Sequence, residues 1–343
     1  MMNKKANKIF YEMKYKAKNA YNKLKSPHTK KVIKNKSSQI AETILRYFLM
    51  YGLAFVILLP LLQQLAVAFR EPTDINNALV LWIPEKYSIQ NFKIALIVTD
   101  YWNSLKNSFV LSFFVTLLQL LVTMLVGYAL ARLKFPGHNV VFIFVIFTII
   151  VAPTTLELPL KINLSNGFGT RINMLGSPFV LYAFAITGMG IKAGIFIYLF
   201  RQFFKGIPTE IEESAMVDGA NPLQVFLRIM LPNAMGGIIL TSVLTFVWQW
   251  NDGYFVPIYV SKINARYDTL TTKMMGISGN IQDAIQKAGI WELFDQDVTK
   301  NPLFTSMILN TSGMLAMIPL LIIYLIVQKR LFTEGVERSG LVG

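Results

Sequence analysis

Long blocks of apolar residues alternate with shorter polar stretches along the chain. A helix needs about 20 predominantly apolar residues to cross a bilayer, and six blocks approach that length. The pattern therefore predicts an all-α integral membrane protein in which residues 44–343 form one transmembrane domain. The predicted spans are about 46–69, 105–131, 140–162, 178–204, 234–258 and 304–328.

The third span is the least regular of the six. Glu157, Pro159 and Lys161 interrupt its second half, which predicts that this end unwinds into an outer-face loop reaching about residue 177. Five residues of the predicted spans predict local breaks, namely Pro60, Gly127, Pro153, Pro257 and Pro319. Such breaks are tolerated in membranes when neighbouring helices satisfy the freed backbone groups.

Charge in the polar stretches predicts the orientation. The N-terminal tail, residues 1–43, carries twelve lysines and one acid within its first 40 residues. Lysine and arginine concentrate on the cytoplasmic side of membrane proteins, and the connection after the second span and the ends of the fourth and sixth spans are also basic. We therefore expect a cytoplasmic N-terminus, a cytoplasmic loop over 205–233 and a cytoplasmic C-terminal tail over 329–343.

The basic tail is predicted to be a disordered, solvated segment that orients the first span. Alternatively, Ile9, Met13, Ala17, Tyr21 and Leu24 would form the apolar face of a helix lying on anionic membrane lipid. Nucleic-acid binding ranks behind both, because no recognisable fold or aromatic platform accompanies the charge. Membrane lipid is thus an expected partner, and nucleic acid is not.

Composition narrows the chemistry. The chain is 54% hydrophobic with a mean hydropathy of +0.47, and it has no cysteine and two histidines. Disulfides and thiolate metal sites are excluded, and little remains for a catalytic or metal constellation. A G-x-x-x-x-G-K-[ST] phosphate loop is also absent from the sequence. We expect no catalytic residue, metal or cofactor on this chain, and any nucleotide chemistry on another chain.

The 205–233 loop is more structured than a plain connection. Pro208 suits the first turn of a helix, and the acids at 210, 212 and 213 favour the positive end of its dipole. Gly219 supplies a left-handed stop. Asn221 and Pro222 then suit the N-cap and first position of a second helix. Its predicted apolar face comprises Leu223, Phe226, Leu227 and Met230.

Two interpretations of this helix–glycine–helix loop stay open on physical grounds. The exposed turn is shaped to enter a groove of a partner. Alternatively, the two short helices lie on the membrane surface without a partner.

Residues 213–232 resemble the EAA signature of permease subunits of bacterial ATP-binding-cassette importers. The family pattern is Glu-Ala-Ala, three residues, Gly, nine residues, then Ile-x-Leu-Pro, and Ser214 replaces the first alanine. The matching positions are Glu213, Ser214, Ala215, Gly219, Ile229, Leu231 and Pro232. Stretches at 107–137, 199–208, 247–260 and 328–343 are similar to the carbohydrate-uptake branch, including the second maltose-type permease.

The resemblance, which covers about residues 45–343, implies an assembly and a mechanism. The family combines two permeases, two ATPase subunits that hold ATP and Mg, and an extracytoplasmic solute-binding protein, in the bacterial cell membrane. The loop sits in a cleft of one ATPase and couples ATP-driven closure to the spans. Here the implied coupling residues are the signature positions together with Asp218. The implied cargo is a sugar or oligosaccharide.

Lys192 lies near the middle of the predicted fourth span, where a charge must face protein or water. It is a candidate for contacting the solute, or else half of an ion pair with Glu157 or with the partner permease. Further pathway candidates are the polar and aromatic residues Gln119, Gln249, Trp250, Asn251 and Asp252. Sugar sites combine such groups, although the other permease could hold most of the contacts.

Rival functions remain. The cargo could be a peptide, a polyol or another polar solute. An ion-coupled secondary transporter would predict internal repeats and intramembrane acid relays, which the sequence does not show. A non-transporting scaffold would leave the 205–233 loop without a purpose.

Overall fold

The structure is a computed structural model that describes residues 27–71, 84, 86–170, 172–261, 267–279, 281–290 and 299–339. These residues are mostly helical, which confirms the all-α prediction. The chain divides into two compact units, Met1–Gln63 and Gln64–Gly343.

The described residues form a series of helices of very different lengths. In chain order the helices are α1 (Pro27–Ala68), α2 (Gln90–Val98), α3 (Tyr101–Arg132), α4 (His138–Ile150), α5 (Glu157–Ser165), α6 (Phe179–Ile186), α7 (Ala193–Lys205), α8 (Thr209–Val217), α9 (Pro222–Asn233), α10 (Met235–Trp250), α11 (Leu270–Gly279), α12 (Ile281–Lys287) and α13 (Pro302–Ser339). Helix α9 contains a π-helical turn at Phe226–Met230, and a second π-helical turn follows α10 at Pro257–Ser261.

Several described helices can cross a membrane. Gln39–Ala68 of α1, the whole of α3, and Pro302–Lys329 of α13 are each long and apolar enough. Two bent pairs also qualify if each is counted as one span: α4 with Pro153–Ser165, bent by 100°, and α9 with α10, bent by 76°. A multi-pass architecture is thus confirmed, while the count of six spans stays a prediction.

The first helix begins earlier than the predicted first span. Helix α1 runs without interruption from Pro27, so residues 27–43 of the predicted tail are helical rather than disordered. The sequence between His28 and Tyr51 contains neither Gly nor Pro, and nothing there stops a helix. The proposed lipid-facing residues between 9 and 24 lie outside the described residues.

The predicted third span breaks earlier than expected. Helix α4 ends at Ile150, ahead of Pro153, and the residue before a proline is disfavoured in a helix. The second half then forms a 3₁₀ turn and α5 instead of unwinding. The expectation of an unwound end from Glu157 onward is therefore wrong. Lys161 pairs with Glu157 one turn away, at 3.5 Å between Nζ and Oε1, which supports this short helix.

The predicted fourth span consists of two helices. Helix α6 ends at Ile186 and α7 begins at Ala193. Between them Gly188 and Lys192 adopt left-handed backbone angles, with φ of +75° and +57°. Such angles end a right-handed helix, so the continuous helix expected over 178–204 is interrupted at its middle.

Helices α3 and α7 cross in close contact at Gly127. The prediction of a break at this glycine is wrong, since α3 continues straight through it. A Cβ atom at Gly127 would lie 2.5 Å from Cβ of Phe200 and 3.1 Å from the backbone nitrogen of Arg201. The glycine therefore serves close helix approach, as small residues commonly do between membrane helices.

Candidate functional site

The first helix of the 205–233 loop ends in a complete Schellman motif. Gly219 has a φ of +90°. Its N–H donates to the carbonyl of Met216 at 3.1 Å, and that of Ala220 donates to the carbonyl of Ala215 at 3.0 Å. These two bonds satisfy carbonyls that a helix end leaves free. The left-handed stop predicted at Gly219 is confirmed.

The second helix begins with a capping box. The Asn221 side chain accepts from the backbone N–H of Gln224 at 2.8 Å, and the Gln224 side chain accepts from that of Asn221 at 3.0 Å. Asn221 and Pro222 thus hold the predicted N-cap and first helical positions. The chain turns tightly between α8 and α9 because both ends of the turn are capped.

The apolar face of the second helix differs from the prediction. Phe226 and Met230 are buried as expected, together with Val225. Leu223 and Leu227, in contrast, are 63% and 51% exposed. The π-helical turn at Phe226–Met230 inserts one extra residue per turn and changes the phase of the helix, so the simple i, i+3, i+4, i+7 pattern does not hold.

Exposed apolar side chains flank the Gly219 turn on both sides. Val217 is 87% exposed, and Met216 and Leu223 are also exposed. We call Met216, Val217, Leu223 and Leu227 the turn-flanking residues. Exposed apolar groups concentrated on one structured turn are typical of an interaction surface.

The opposite side of the loop is anchored to the end of α3. Glu212 is buried and lies beside Arg132, with 3.1 Å between Oε2 and Nε, as an ion pair rather than an aligned hydrogen bond. The hydroxyl of Tyr128 donates to Oε1 of Glu212 at 3.0 Å, across 84 positions of sequence. Arg132 also donates to the carbonyl of Ile207. We call Tyr128, Arg132 and Glu212 the α3 anchor.

The signature residues divide between these two sides. Glu213, Ser214, Asp218 and Gly219 are exposed, and Pro232 is exposed near the bend into α10. Three others are partly buried, and two of these pack against the apolar cluster of Phe200, Phe204, Phe226 and Met230 beneath the loop. The partly buried signature residues are Ala215, Ile229 and Leu231.

A cavity of about 760 Å³ lies where three helical segments are interrupted. Its walls include the α4–α5 break at Val151–Thr154, the α6–α7 break at Gly188–Lys192, and the break after α10 at Asn251–Gly253. The volume is within the range of small-molecule sites. Interrupted helices at such sites expose backbone N–H and C=O groups that would be hydrogen-bonded within a continuous helix.

Lys192 lies in the wall of this cavity. Its Nζ is 5.8 Å from the centre of the Trp248 ring, a cation–π contact. The alternative ion pair with Glu157 is not formed, because Glu157 pairs with Lys161 and accepts a hydrogen bond from Tyr254 at 3.2 Å. None of the ion pairs found among the described residues involves Lys192.

Asp252 also reaches the cavity wall, but its carboxylate is occupied. Its two oxygens accept from the backbone N–H groups of Tyr254, Phe255 and Val256 at 2.8–2.9 Å. Asp252 thereby restarts the helical path after the break, and it is 5% exposed. The Nδ2 of Asn251, a second predicted pathway residue in the wall, donates to the carbonyl of Val247 at 2.9 Å.

The other three pathway candidates make contacts within the protein. Gln119 is fully buried and donates to the carbonyl of Ile191 at 2.7 Å, which fixes the α6–α7 break. Gln249 is buried beside Asp252. Trp250 is 2% exposed and donates to the carbonyl of Ala316 at 3.2 Å. These three residues do not belong to the cavity lining.

Comparison with known proteins identifies a shared fold and a set of similar sequences. No family model matches the chain. The alpha-glucoside transport system permease protein AglG of Rhizobium meliloti is 28% identical over 61% of this chain, a match that spans 53% of AglG. The sn-glycerol-3-phosphate transport system permease protein UgpE of Shigella flexneri is 29% identical over 68% of the chain and 79% of UgpE. The arabinooligosaccharide permease AraQ of Halalkalibacterium halodurans is 28% identical over 68% of the chain and 80% of AraQ.

The chain is similar to ABC transport permeases over 61–68% of its length. The solved structure of a bacterial ABC transporter involved in the import of the acidic polysaccharide alginate shares its fold. One chain of that transporter superposes with a TM-score of 0.64 at 20% identity, covering 85% of this chain and 97% of the other. The similar proteins are transport permeases, and the long apolar helices described above fit a multi-pass membrane protein.

Two features of this structure were not predicted from the sequence. Glu212 was predicted only as an acid favouring a helix dipole, and Arg132 only as a charge orienting the chain. Their spacing carries no local signal, so no periodicity could pair them. Trp248 lines the cavity while its neighbour Trp250 does not, because α10 turns the two rings to different sides. A helical phase assigned from the buried Thr241, Thr245 and Gln249 would have shown this.

Proposed function

We propose that this permease is the transmembrane subunit of an ATP-driven importer that carries a sugar or oligosaccharide. Its relatives are named for an alpha-glucoside, for arabinooligosaccharides and for sn-glycerol 3-phosphate. The cavity of about 760 Å³ combines aromatic walls with hydrogen-bonding groups, as a polyhydroxylated solute requires. The named cargoes differ in charge, so the comparisons leave the charge of this permease's cargo open.

The observation that carries the proposal is the two-sided 205–233 loop. One side is fixed to the transmembrane helices through the α3 anchor, and the other presents the turn-flanking residues to solvent. A surface that is rigidly attached to the spans and apolar at its tip can transmit the movement of a bound partner. We propose that an ATPase subunit is this partner, which favours the groove interpretation over an unpartnered membrane-surface pair.

The complete importer would contain further chains. We propose a second permease, two ATPase subunits that hold ATP and Mg, and an extracytoplasmic solute-binding protein. The permease itself would supply no cofactor site. Coupling would then be a change of relative position between rigid bodies, driven by contacts that differ between two global states.

Changes at the tip of the loop should weaken ATPase binding. Val217→Asp places a charge where burial of a full apolar side chain would contribute about 1.5–3 kcal/mol, so we expect about ten- to a hundredfold weaker retention of the ATPase. Gly219→Val should act through the backbone alone, because nothing lies within 4 Å of the added Cβ and the left-handed angle opposes an L-residue by about 1–2 kcal/mol. Copurification and solute-stimulated ATP hydrolysis in proteoliposomes measure both effects.

Phe168→Asp is the matched control for this experiment. Phe168 is 63% exposed and lies outside the loop, so the same introduction of charge should leave ATPase retention unchanged. Full ATPase binding and full coupled hydrolysis by both loop variants would show that the 205–233 loop does not couple the ATPase to the membrane spans.

The proposed orientation can be tested with introduced cysteines, because the chain has none of its own. Ser278 and Asp218 are both exposed. With a cytoplasmic 205–233 loop, a membrane-impermeant maleimide added to intact cells should label Ser278→Cys and not Asp218→Cys. Permeabilised cells should label both, which controls for reactivity. Labelling of Asp218→Cys and not of Ser278→Cys in intact cells would show that the orientation is the opposite of the proposed one.

A further inference from the structure

The two charged side chains that line the cavity differ in whether they have hydrogen-bond partners. Lys192 and Asp252 are the charged residues among those that line it. The carboxylate of Asp252 accepts three backbone N–H groups and so already has its partners. The ammonium group of Lys192 instead contacts a π face, which offers no hydrogen-bond acceptor atom. The cavity wall therefore holds an ammonium group that no carboxylate of the described residues pairs with.

Local structure gives no reason for a lysine at this position. Lys192 is one of three described non-glycine residues with positive φ. It precedes α7 without any side-chain capping bond. Glycine or asparagine would adopt φ of +57° with less strain. Backbone strain of this kind is found at ligand sites, where the surrounding structure holds it in place. The backbone conformation therefore does not account for a lysine at position 192, and we look to its side chain for a role.

The walls also hold the ammonium group in position. Trp248, which Lys192 faces, itself packs on the buried Phe196 ring at 5.5 Å between ring centres. Gln119 holds the carbonyl of Ile191, the residue immediately before Lys192. A cation positioned by rigid neighbours, in a cavity with aromatic walls, is suited to the anionic group of a solute.

We propose that the cargo of this permease is anionic, a saccharide or sugar derivative whose carboxylate or phosphate binds Lys192. The inference rests on the proposed import function and adds the charge of the solute to it. Trp248 would cover an apolar face of the sugar ring while Lys192 holds its negative group. A neutral sugar would offer hydroxyl acceptors to the ammonium group but no negative charge to balance it in a largely apolar cavity.

The test uses the complete importer, with its own binding protein, in proteoliposomes loaded with ATP. Each probe pair differs in charge and little else. Digalacturonate is compared with its dimethyl ester for the carboxylate, and glycerol 3-phosphate and glucose 6-phosphate with glycerol and glucose for the phosphate. We expect ATP-dependent uptake of an anionic member at least tenfold above its neutral counterpart. The pair that shows this difference tells carboxylate from phosphate.

Variants then assign the preference to Lys192. Lys192→Gln should lower uptake of the anion about ten- to a hundredfold, the range for losing one charge-assisted hydrogen bond, and leave neutral probes unaffected. Lys192→Arg should retain most of the preference. Lys106→Gln removes the charge of an exposed lysine outside the cavity and is the matched control.

Other outcomes would overturn the inference in distinguishable ways. Equal loss of charged and neutral uptake in Lys192→Gln, with poor recovery of the second permease, would mean that Lys192 pairs with a carboxylate of that subunit. ATP-driven uptake of neutral probes alone would reject an anionic cargo while the import function stands. If ATP drives no uptake of any probe, the proposed function fails and the inference falls with it.

Discussion

Glu212→Gln should destabilise the protein by about 3–5 kcal/mol, because it leaves the buried Arg132 guanidinium without its counter-charge. Both side chains are about nine-tenths buried, so solvent screens their interaction little. The hydroxyl of Tyr128 would keep an oxygen acceptor in the glutamine, so the change isolates the charge. Unfolding in mixed detergent micelles, followed by tryptophan fluorescence, measures the difference.

The neighbouring acid provides the control. Glu213 is exposed, and Glu213→Gln should change stability by no more than about 0.5 kcal/mol. Arg132→Gln should destabilise by an amount similar to Glu212→Gln. The double variant should be less destabilised than the sum of the two, since the two residues interact directly. Additive effects, or equal stability of the Glu212 and Glu213 variants, would show that the ion pair does not anchor the loop.

The α3 anchor also connects the 205–233 loop to the helices that lead to the cavity. Arg132 ends α3, the helix that crosses α7 at Gly127, and Arg201 of α7 donates to the carbonyl of Leu130 at 3.1 Å. Lys192, the N-cap residue of α7, lies in the cavity wall. The loop and the cavity are therefore linked through two packed helices. Such a link offers a physical route for coupling, which movement of the loop would have to demonstrate.

Features that depend only on neighbouring residues, such as helix caps and long apolar helices, could be predicted from the sequence. Gly219, Asn221 and Pro222 each act through the backbone of adjacent residues, and the structure has all three in the expected roles. The long apolar blocks behind α1, α3 and α13 also suffice to define these helices. Helix caps and apolar length depend little on tertiary contacts, which is why they can be read from one chain.

Features set by tertiary contacts were not predictable. The interruption at 187–192 depends on Gln119, which reaches from α3 to the carbonyl of Ile191. The exposure of Leu223 and Leu227 depends on a π-helical turn that no residue type specifies. Asp252 looked like a solute ligand because it is an acid beside a span, yet three N–H groups after a break occupy it. In each case the deciding partner is absent from the local pattern.

The α3–α7 crossing should tolerate no side chain at Gly127. A Cβ there would approach Cβ of Phe200 to 2.5 Å and the carbonyl oxygen of Ile197 to 3.2 Å. The Phe200 contact is to an atom bonded directly to the backbone, so a rotamer change cannot relieve it. The helices themselves would have to separate. Phe200 is fully buried in the apolar cluster under the 205–233 loop, so separation would also disturb the support of that loop.

Gly127→Ala should therefore destabilise the protein by about 1–3 kcal/mol, the usual effect of overpacking, although alanine is the better helix former. Gly127→Leu should prevent close packing and yield no monodisperse subunit in size-exclusion chromatography. Gly276→Ala is the matched control, because that glycine lies in α11 with nothing within 4 Å of an added Cβ. It should be neutral or more stable by up to about 1 kcal/mol. Equal thermal stability of the two alanine variants would mean that the helices do not meet at Gly127.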